Sequence, residues 1–345
     1  MEIKENIFGQ GIIYNQNDLK GKIFAQCSAC MSLYSEFESF ANAYPEQMVQ
    51  TPEEADNIIV ISCQVTDLAV YNDIKTMQDF IKQHPQKKYY IGGCLANRFD
   101  IELPTSVMRL DHVRIDNQQI KERLVKYQKP FWVKELDENN EYSDGNLFRN
   151  KYPLRIGVGC KNNCSFCTIK ITRGRPYEID INKAEQEFIE NDNILLISDA
   201  PTTQQIFDWV NLAIKHSKQI SIRNVEPVVA LQSFSKLKEL AEHKLLKEFH
   251  SPVQHTEESI LKAMHRNAPA TLQLIEKLKE LRELGVYLAT NIIIDYKINN
   301  EKTIEPNFEK LYETFHYISW NPYWDGKWNY DNAKVRFEEY FGSKK

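Results

Sequence analysis

The sequence predicts an α/β protein in two parts, an open parallel sheet followed by a partial (β/α)6 barrel. Three observations lead there. Short apolar runs alternate with helical patterns along most of the chain, as parallel βα units require. Three early runs deliver a cysteine at the same end: Gly21 to Gln26 before Cys27, Asn57 to Ser62 before Cys63, Lys88 to Gly93 before Cys94. A polar, charged stretch, Lys134 to Asn150, then precedes six further strand-and-helix units. The predicted division is a first α/β domain at 1–133, a linker at 134–150 and a barrel with an aromatic tail at 151–345.

Taken in order, residues 1–22 read as an irregular or strand-like lead-in, and Gly21 to Gln26 as a short strand. Met31 to Ala43 places Leu33, Phe37 and Phe40 at helical spacing. Thr51-Pro52 is a helix-start pattern, with Thr51 as N-cap and Pro52 at the first helical position. Asn57 to Ser62 is a continuous apolar run of the buried parallel-strand type. Ala69 to Gln83 reads as a helix, Lys88 to Gly93 as the third strand, and residues 100–129 as strand fragments and a closing helix. In the second part the predicted strands are 154–159, 193–198, 219–224, 246–250, 286–294 and 317–320. Helical patterns fall at 181–190, 209–216, 237–243, 257–264, 271–284 and 305–312, and Gly285 breaks the fifth.

Composition sets the broad class. The chain has 345 residues, 42% hydrophobic and 26% charged, ordinary for a globular protein large enough for two domains. No apolar run is long enough to span a bilayer, and the polar start is no signal peptide, so no membrane role is expected. Lys plus Arg number 43 against 48 Asp plus Glu, a net charge of −5 that argues against broad nonspecific nucleic-acid binding. Seven cysteines without the framework of a small secreted domain point to a reducing, cytoplasmic location.

The densest chemistry is Cys160-Lys-Asn-Asn-Cys164-Ser-Phe-Cys167, a CxxxCxxC loop entered from a strand through Gly159. Three thiolates so close can face a soft metal centre. Three such cysteines could be most of a structural zinc site, but no second CxxC or HxxxH follows to complete one. Iron–sulfur clusters usually take four thiolates, so three would leave one iron open. Cys27, Cys63 and Cys94 form a second candidate set. In an open parallel sheet the carboxyl ends of the strands share one edge, where ligands bind. Free cysteines are also common as plain buried residues, yet three at equivalent strand ends favour a second metal site.

These motifs resemble the radical S-adenosylmethionine (SAM) methylthiotransferases. The CxxxCxxC loop resembles the radical SAM signature. Ala55-Asp-Asn-Ile-Ile-Val-Ile-Ser-Cys63 is similar to that family's "ADVIIVNTC", and Ile91-Gly-Gly-Cys-Leu-Ala-Asn-Arg98 to its "GCLAxR". Cys27, with Ser35-Glu36 downstream, stands in its "GCxxNxxDSE". Ile169 to Gly174 resembles "IIPxxRG", and Phe249 to Arg266 resembles "HxPVQSGSxxVLxxMxR". The resemblance covers most of residues 20–295. It implies two [4Fe–4S] clusters: one on Cys160, Cys164 and Cys167, whose open iron holds SAM, and an auxiliary one on Cys27, Cys63 and Cys94. By position it suggests SAM contacts from Arg223, Asn224, Gln254 and Arg266, each of which reads equally well as a polar residue of the barrel rim.

The sequence also departs from that family. Cys30 stands where Asn is usual, Ser62 replaces Thr and Lys170 replaces Pro. Cys30 could replace Cys27 as a ligand; the reading favours Cys27. After Asn291 to Asp295 the chain runs Tyr296-Lys-Ile-Asn-Asn300 in place of a "GFPGE" motif. Nothing after the barrel reads as the family's RNA- or protein-binding TRAM module. Instead Trp320, Tyr323, Trp324, Trp328 and Tyr330 crowd the tail. Interleaved with lysines, they could stack bases, but acidic interruptions favour a hydrophobic cap.

The resemblance implies cleavage of SAM to a carbon radical, hydrogen abstraction from an unactivated C–H bond, and transfer of a methylthio group. Peptide or protein is the favoured substrate, with tRNA adenosine the alternative. An electron donor of the flavodoxin or ferredoxin type is implied. Rival readings are radical SAM sulfur insertion or peptide crosslinking with an auxiliary cluster, and a non-enzymatic iron–sulfur or zinc protein.

Overall fold

The computed structural model describes residues 13–15, 19–27, 46–111, 151–173 and 176–341. The chain divides into two compact units. One comprises Met1–Asn139, Thr168–Gly174 and Gly326–Lys345; the other Asn140–Cys167 and Arg175–Asp325.

The first unit is a five-stranded sheet of β1 (Ile13–Asn15), β2 (Ile23–Cys27), β3 (Asn57–Ser62), β4 (Lys88–Gly93) and β5 (Val107–Asp111). All pairs are parallel and the order is β1-β5-β4-β3-β2. Every residue of β3 is buried, as its unbroken apolar run requires of a central parallel strand. Helix α1 (Asp67–Gln83) begins two residues before the predicted start, because the Thr66 side chain accepts the Ala69 amide at 3.1 Å. Ile58, Val60, Met77 and Tyr89 form the core with Phe24 and Phe80 against them. The predicted helix start at Thr51 becomes one 3₁₀ turn, Pro52–Glu54, with no side-chain cap. The predicted helix at 31–43, the closing helix after residue 111 and the linker at 134–150 lie outside the described residues.

Two later segments complete this unit. Helix α2 (Ile169–Arg173) packs on the 3₁₀ turn Cys94–Asn97, with Asn97 Nδ2 donating to Thr172 O at 3.2 Å. The helix Tyr330–Phe341 lies along α1. Tyr71 packs its ring against Tyr330 and Phe337, with centroids 5.3 and 5.2 Å apart, and Arg336 Nη1 sits 2.6 Å from Asp67 Oδ2. The sequence places this tail with the barrel; the structure instead groups it with the first sheet. The aromatic cluster is thereby divided: Tyr323 meets Tyr296 in the second unit, while Trp328 and Tyr330 fall in the first.

The second unit is a six-stranded parallel sheet of β6 (Tyr152–Arg155), β9 (Ile194–Ile197), β10 (Ile220–Ile222), β11 (Leu246–His250), β12 (Tyr287–Ile294) and β15 (Tyr317–Pro322), neighbours in sequence order throughout. Helices α3 (Ile181–Glu190), α4 (Thr203–Lys215), α5 (Pro227–Gln232), α6 (Phe234–Glu242), α7 (Glu258–Ala263), α8 (Ala268–Glu283) and α9 (Phe308–Thr314) connect them. A sheet wound in one direction by right-handed crossovers keeps its helices on one face. Register puts Leu154, Leu196, Ile222, Phe249 and Leu288 on one face and Arg155, Ile197, Ser221, Glu248, His250 and Asn291 on the other. The first set suits the apolar stripes of the helices; the second lines a polar concave side. Two antiparallel ribbons sit at the strand ends: β7 (Gly157–Val158) with β8 (Tyr177–Glu178), and β13 (Lys297–Ile298) with β14 (Glu301–Lys302). Among the described residues no helix is long and apolar enough to cross a membrane.

Candidate metal centre

In the second unit the cysteine loop leaves β7 at the carboxyl end of the sheet, where parallel barrels carry their sites. Asp199, just beyond β9, accepts the Gly159 amide at 2.7 Å and so fixes the turn that opens the loop. The Asn162 amide points at Cys160 Sγ, 3.3 Å away. Cys160, Cys164 and Cys167 are half-buried thiols, and burial raises the Cys160 thiol above its usual range.

The stretch after α7 holds the other side of the loop, residue against residue. Ala263 O accepts from Ser165 Oγ at 3.1 Å, and Met264 O accepts the Ser165 amide at 3.1 Å. His265 Nδ1 lies 3.1 Å from Asn163 O, and Arg266 Nη1 lies 3.7 Å from Cys164 Sγ. Arg266 is itself held by Pro252 O at 2.7 Å and by Glu226, 3.8 Å away. A guanidinium 3.7 Å from Cys164 Sγ complements the net negative charge of a thiolate-ligated cluster. Three soft donors on one loop with a cation beside them fit an iron–sulfur group. Among the described residues no three His, Cys, Asp or Glu converge as the ligands of a single metal ion do.

The four residues expected at the SAM side gather on the same rim. Arg223 and Asn224 follow β10, and Arg223 is buried. Asn224, at φ 62°, donates through Nδ2 to Ser198 O at 2.9 Å. Gln254, at φ 69°, is held between Asn291 O and the Ile293 amide of β12. Sequence reasoning did not single out the histidine among them. His250 Nδ1 lies 3.1 Å from the Asn224 amide, which can only donate, so the ring proton sits on Nε2 and faces Asn291 Oδ1. A signal for Asp199 was present: a carboxylate directly after an apolar strand, at the end where such sheets bind ligands.

In the first unit register brings the second trio to one edge. Ser62 pairs with Gly93, so Cys63 and Cys94 leave adjacent strands level with each other, while Cys27 pairs with Ile61 on the next strand. Gly93 has φ +78°, and a Cβ there would stand 2.5 Å from Ser62 O. Buried Asp73 of α1 accepts the Cys63 amide at 3.2 Å. Arg109 donates to Leu95 O, Ala96 O and Ile101 O at 3.0, 3.3 and 2.6 Å, gripping the turn that carries Cys94; burial pushes its guanidinium down to about 10. Arg98 spans Asp100, Gln64 Oε1 and Gly326 O, and Gln64 donates to Thr168 Oγ1. Cys30 and the side chain of Cys27 lie outside what is described.

Residues 154–306 match the radical SAM superfamily, and residues 27–114 match an uncharacterized protein family, UPF0004. Among curated relatives, a ribosomal protein uS12 methylthiotransferase RimO of Sulfurihydrogenibium sp. is 26% identical over 74% of this chain and 61% of its own length. The RimO of Sulfurovum sp. is 24% identical over 76% of this chain and 66% of its own length. That of Clostridium botulinum is 27% identical over 72% and 62%. This chain thus spans about three fifths to two thirds of the relatives it matches. A solved radical SAM methyltransferase, TsrM from Kitasatospora setae, aligns at TM-score 0.47 and 9% identity over 80% of this chain and 68% of its own. The chain thus carries a UPF0004 match and a radical SAM match in the order the two cysteine sets require, and across both it is similar to methylthiotransferases.

Proposed function

We propose that the protein transfers a methylthio group to an unactivated C–H bond of a peptide or protein, in a reducing cytoplasm. The observation that carries this reading is the CxxxCxxC loop docked residue by residue on Ala263 to Arg266, with a guanidinium at Cys164. Cys160, Cys164 and Cys167 would hold one [4Fe–4S] cluster, and Cys27, Cys63 and Cys94 the other. When bound, the clusters and SAM supply the electron, the hydrogen-abstracting radical and the sulfur donor.

The chain's own residues do the rest. Asp199 and Ala263 to Arg266 fix the loop, so the three thiolates stay poised. Arg223, Asn224, Gln254 and Arg266 offer guanidinium and amide groups to SAM from the rim. His250, with its proton fixed on Nε2, serves as a neutral polar wall rather than as a base. Support for a protein substrate comes from relatives named for a ribosomal protein and from the net charge of −5.

The test is anaerobic iron and sulfide quantification on wild type and on the Cys27, Cys63 and Cys94 triple-alanine variant. About eight irons should fall to about four. With reductant and SAM, wild type should release 5′-deoxyadenosine, and its substrate should gain sulfur and methyl together. Product on tRNA alone would reverse the choice of substrate, and metal without SAM cleavage would end the enzymatic reading.

A further inference from the structure

The loop after β12 is tied to the cysteine loop through one buried phenol. Asp295 turns the chain at φ 54°, and the next residue, Tyr296, is 5% exposed. Its ring lies among Ile260, Met264 and Ile293, with Phe166 of the cysteine loop against that cluster. Tyr323 meets it edge-on, with centroids 4.6 Å apart.

The hydroxyl completes a triangle. Tyr296 Oη is 3.0 Å from Ser165 Oγ and 3.3 Å from Ala263 O, and Ser165 Oγ is 3.1 Å from the same carbonyl. The Ala263 carbonyl, with two lone pairs, accepts from both hydroxyls, and the Ser165–Tyr296 pair, in which either oxygen can donate, closes the triangle.

The other end of the residue closes a second loop. Tyr296 O accepts both the amide and the hydroxyl of Thr303, at 3.0 and 2.8 Å. Between them β13 and β14 turn over Asn299 and Asn300, at φ 53° and 68°, as a two-residue hairpin turn of the I′ kind requires. Lys302 Nζ returns to Asp295 Oδ1 at 2.9 Å, and Glu305 accepts the Asp295 amide at 3.0 Å. The hairpin is thus a closed clasp standing on the barrel's carboxyl-end rim, and Tyr296 is its foot beneath Ser165.

We propose that Tyr296 is a positioning residue: it locks the cysteine loop to the 296–303 hairpin, so that a substrate pressing on the hairpin is felt between Cys164 and Cys167. The proposal rests on the reading that those cysteines hold a cluster. Its test compares full-length wild type with Tyr296→Phe, Ser165→Ala and the double variant, prepared anaerobically with and without reconstituted iron and sulfide.

Without the cluster, amide exchange across residues 163–167 should quicken several-fold in Tyr296→Phe, the size of one lost hydrogen bond. Exchange in β11 should stay unchanged, which reports an intact barrel. The double variant should cost less than the sum of the two single ones, since both cut one shared network. With the cluster loaded, the reduced spectrum by electron paramagnetic resonance should change shape on adding SAM differently in Tyr296→Phe than in wild type. Unchanged loop exchange, additive effects, or a spectrum identical to wild type overturns the proposal. The exchange arm needs no SAM chemistry, so wild type that fails to make 5′-deoxyadenosine would count against the function alone.

Discussion

Gly93 shows how one missing side chain sets two cysteines side by side. Its φ of +78° and the 2.5 Å approach to Ser62 O leave no room for a Cβ. Gly93→Ala should therefore destabilise the chain by roughly 2 kcal/mol or more, read by chemical denaturation, and lower iron content in the same preparation. Glu187 is the second residue-scale test. Its carboxyl, buried against the Tyr152 hydroxyl, is pushed up to about 7 by burial. The folded state thus holds that proton more tightly than the unfolded chain. The resulting stabilisation is complete below the ordinary carboxylate range and is lost as pH rises through about 7. Glu187→Gln should flatten this dependence and gain stability over wild type at alkaline pH, measured as thermal midpoints against pH.

Arg336 tests the Tyr330–Phe341 helix. Asp67 is raised by burial, and the Arg336 guanidinium 2.6 Å away offsets part of that rise. Arg336→Ala removes the offset, so the Asp67 carboxyl rises further. The variant should lose roughly 1–3 kcal/mol near neutral pH and regain most of it once the carboxyl is protonated in acid, by urea titration at both pH values. This helix was not legible in the sequence. Its apolar positions, such as Ala333 and Phe337, follow a run of aromatics that read as a cap for the nearest sheet. Strands were far more legible: Asn57 to Ser62 and Lys88 to Gly93 fall where the unbroken apolar runs put them. Helix starts were missed where a polar cap carried the signal. α4 is capped by Thr202, with Gln205 completing a capping box, and starts at Thr203, six residues before the predicted start at Trp209. The cysteine loop was named from its motif, and Arg223, Asn224, Gln254 and Arg266 by position; of these four, Arg266 reaches the loop. Tyr296 was not named, because its partners are 131 and 33 residues away and no local pattern links them.

Across the whole molecule, a net charge of −5 bears on the choice between peptide and tRNA. Turnover of a peptide should stay within about threefold between roughly 50 and 200 mM salt, whereas a tRNA reader with roughly six phosphate contacts would lose about a thousandfold in affinity. The sequential strand order of the second sheet follows from the predicted (β/α)6 arrangement, whereas the order of the first sheet was beyond sequence reasoning, because long-range pairing decides which edge each run joins. The helix packed along α1 has a further consequence, for biosynthesis. The first sheet emerges from the ribosome early, but Asp67 and Tyr71 must wait for residues 330–337 before they are covered. Until then a nascent chain leaves that acidic and aromatic flank uncovered, and co-translational loading of iron onto the first sheet would meet an unfinished host.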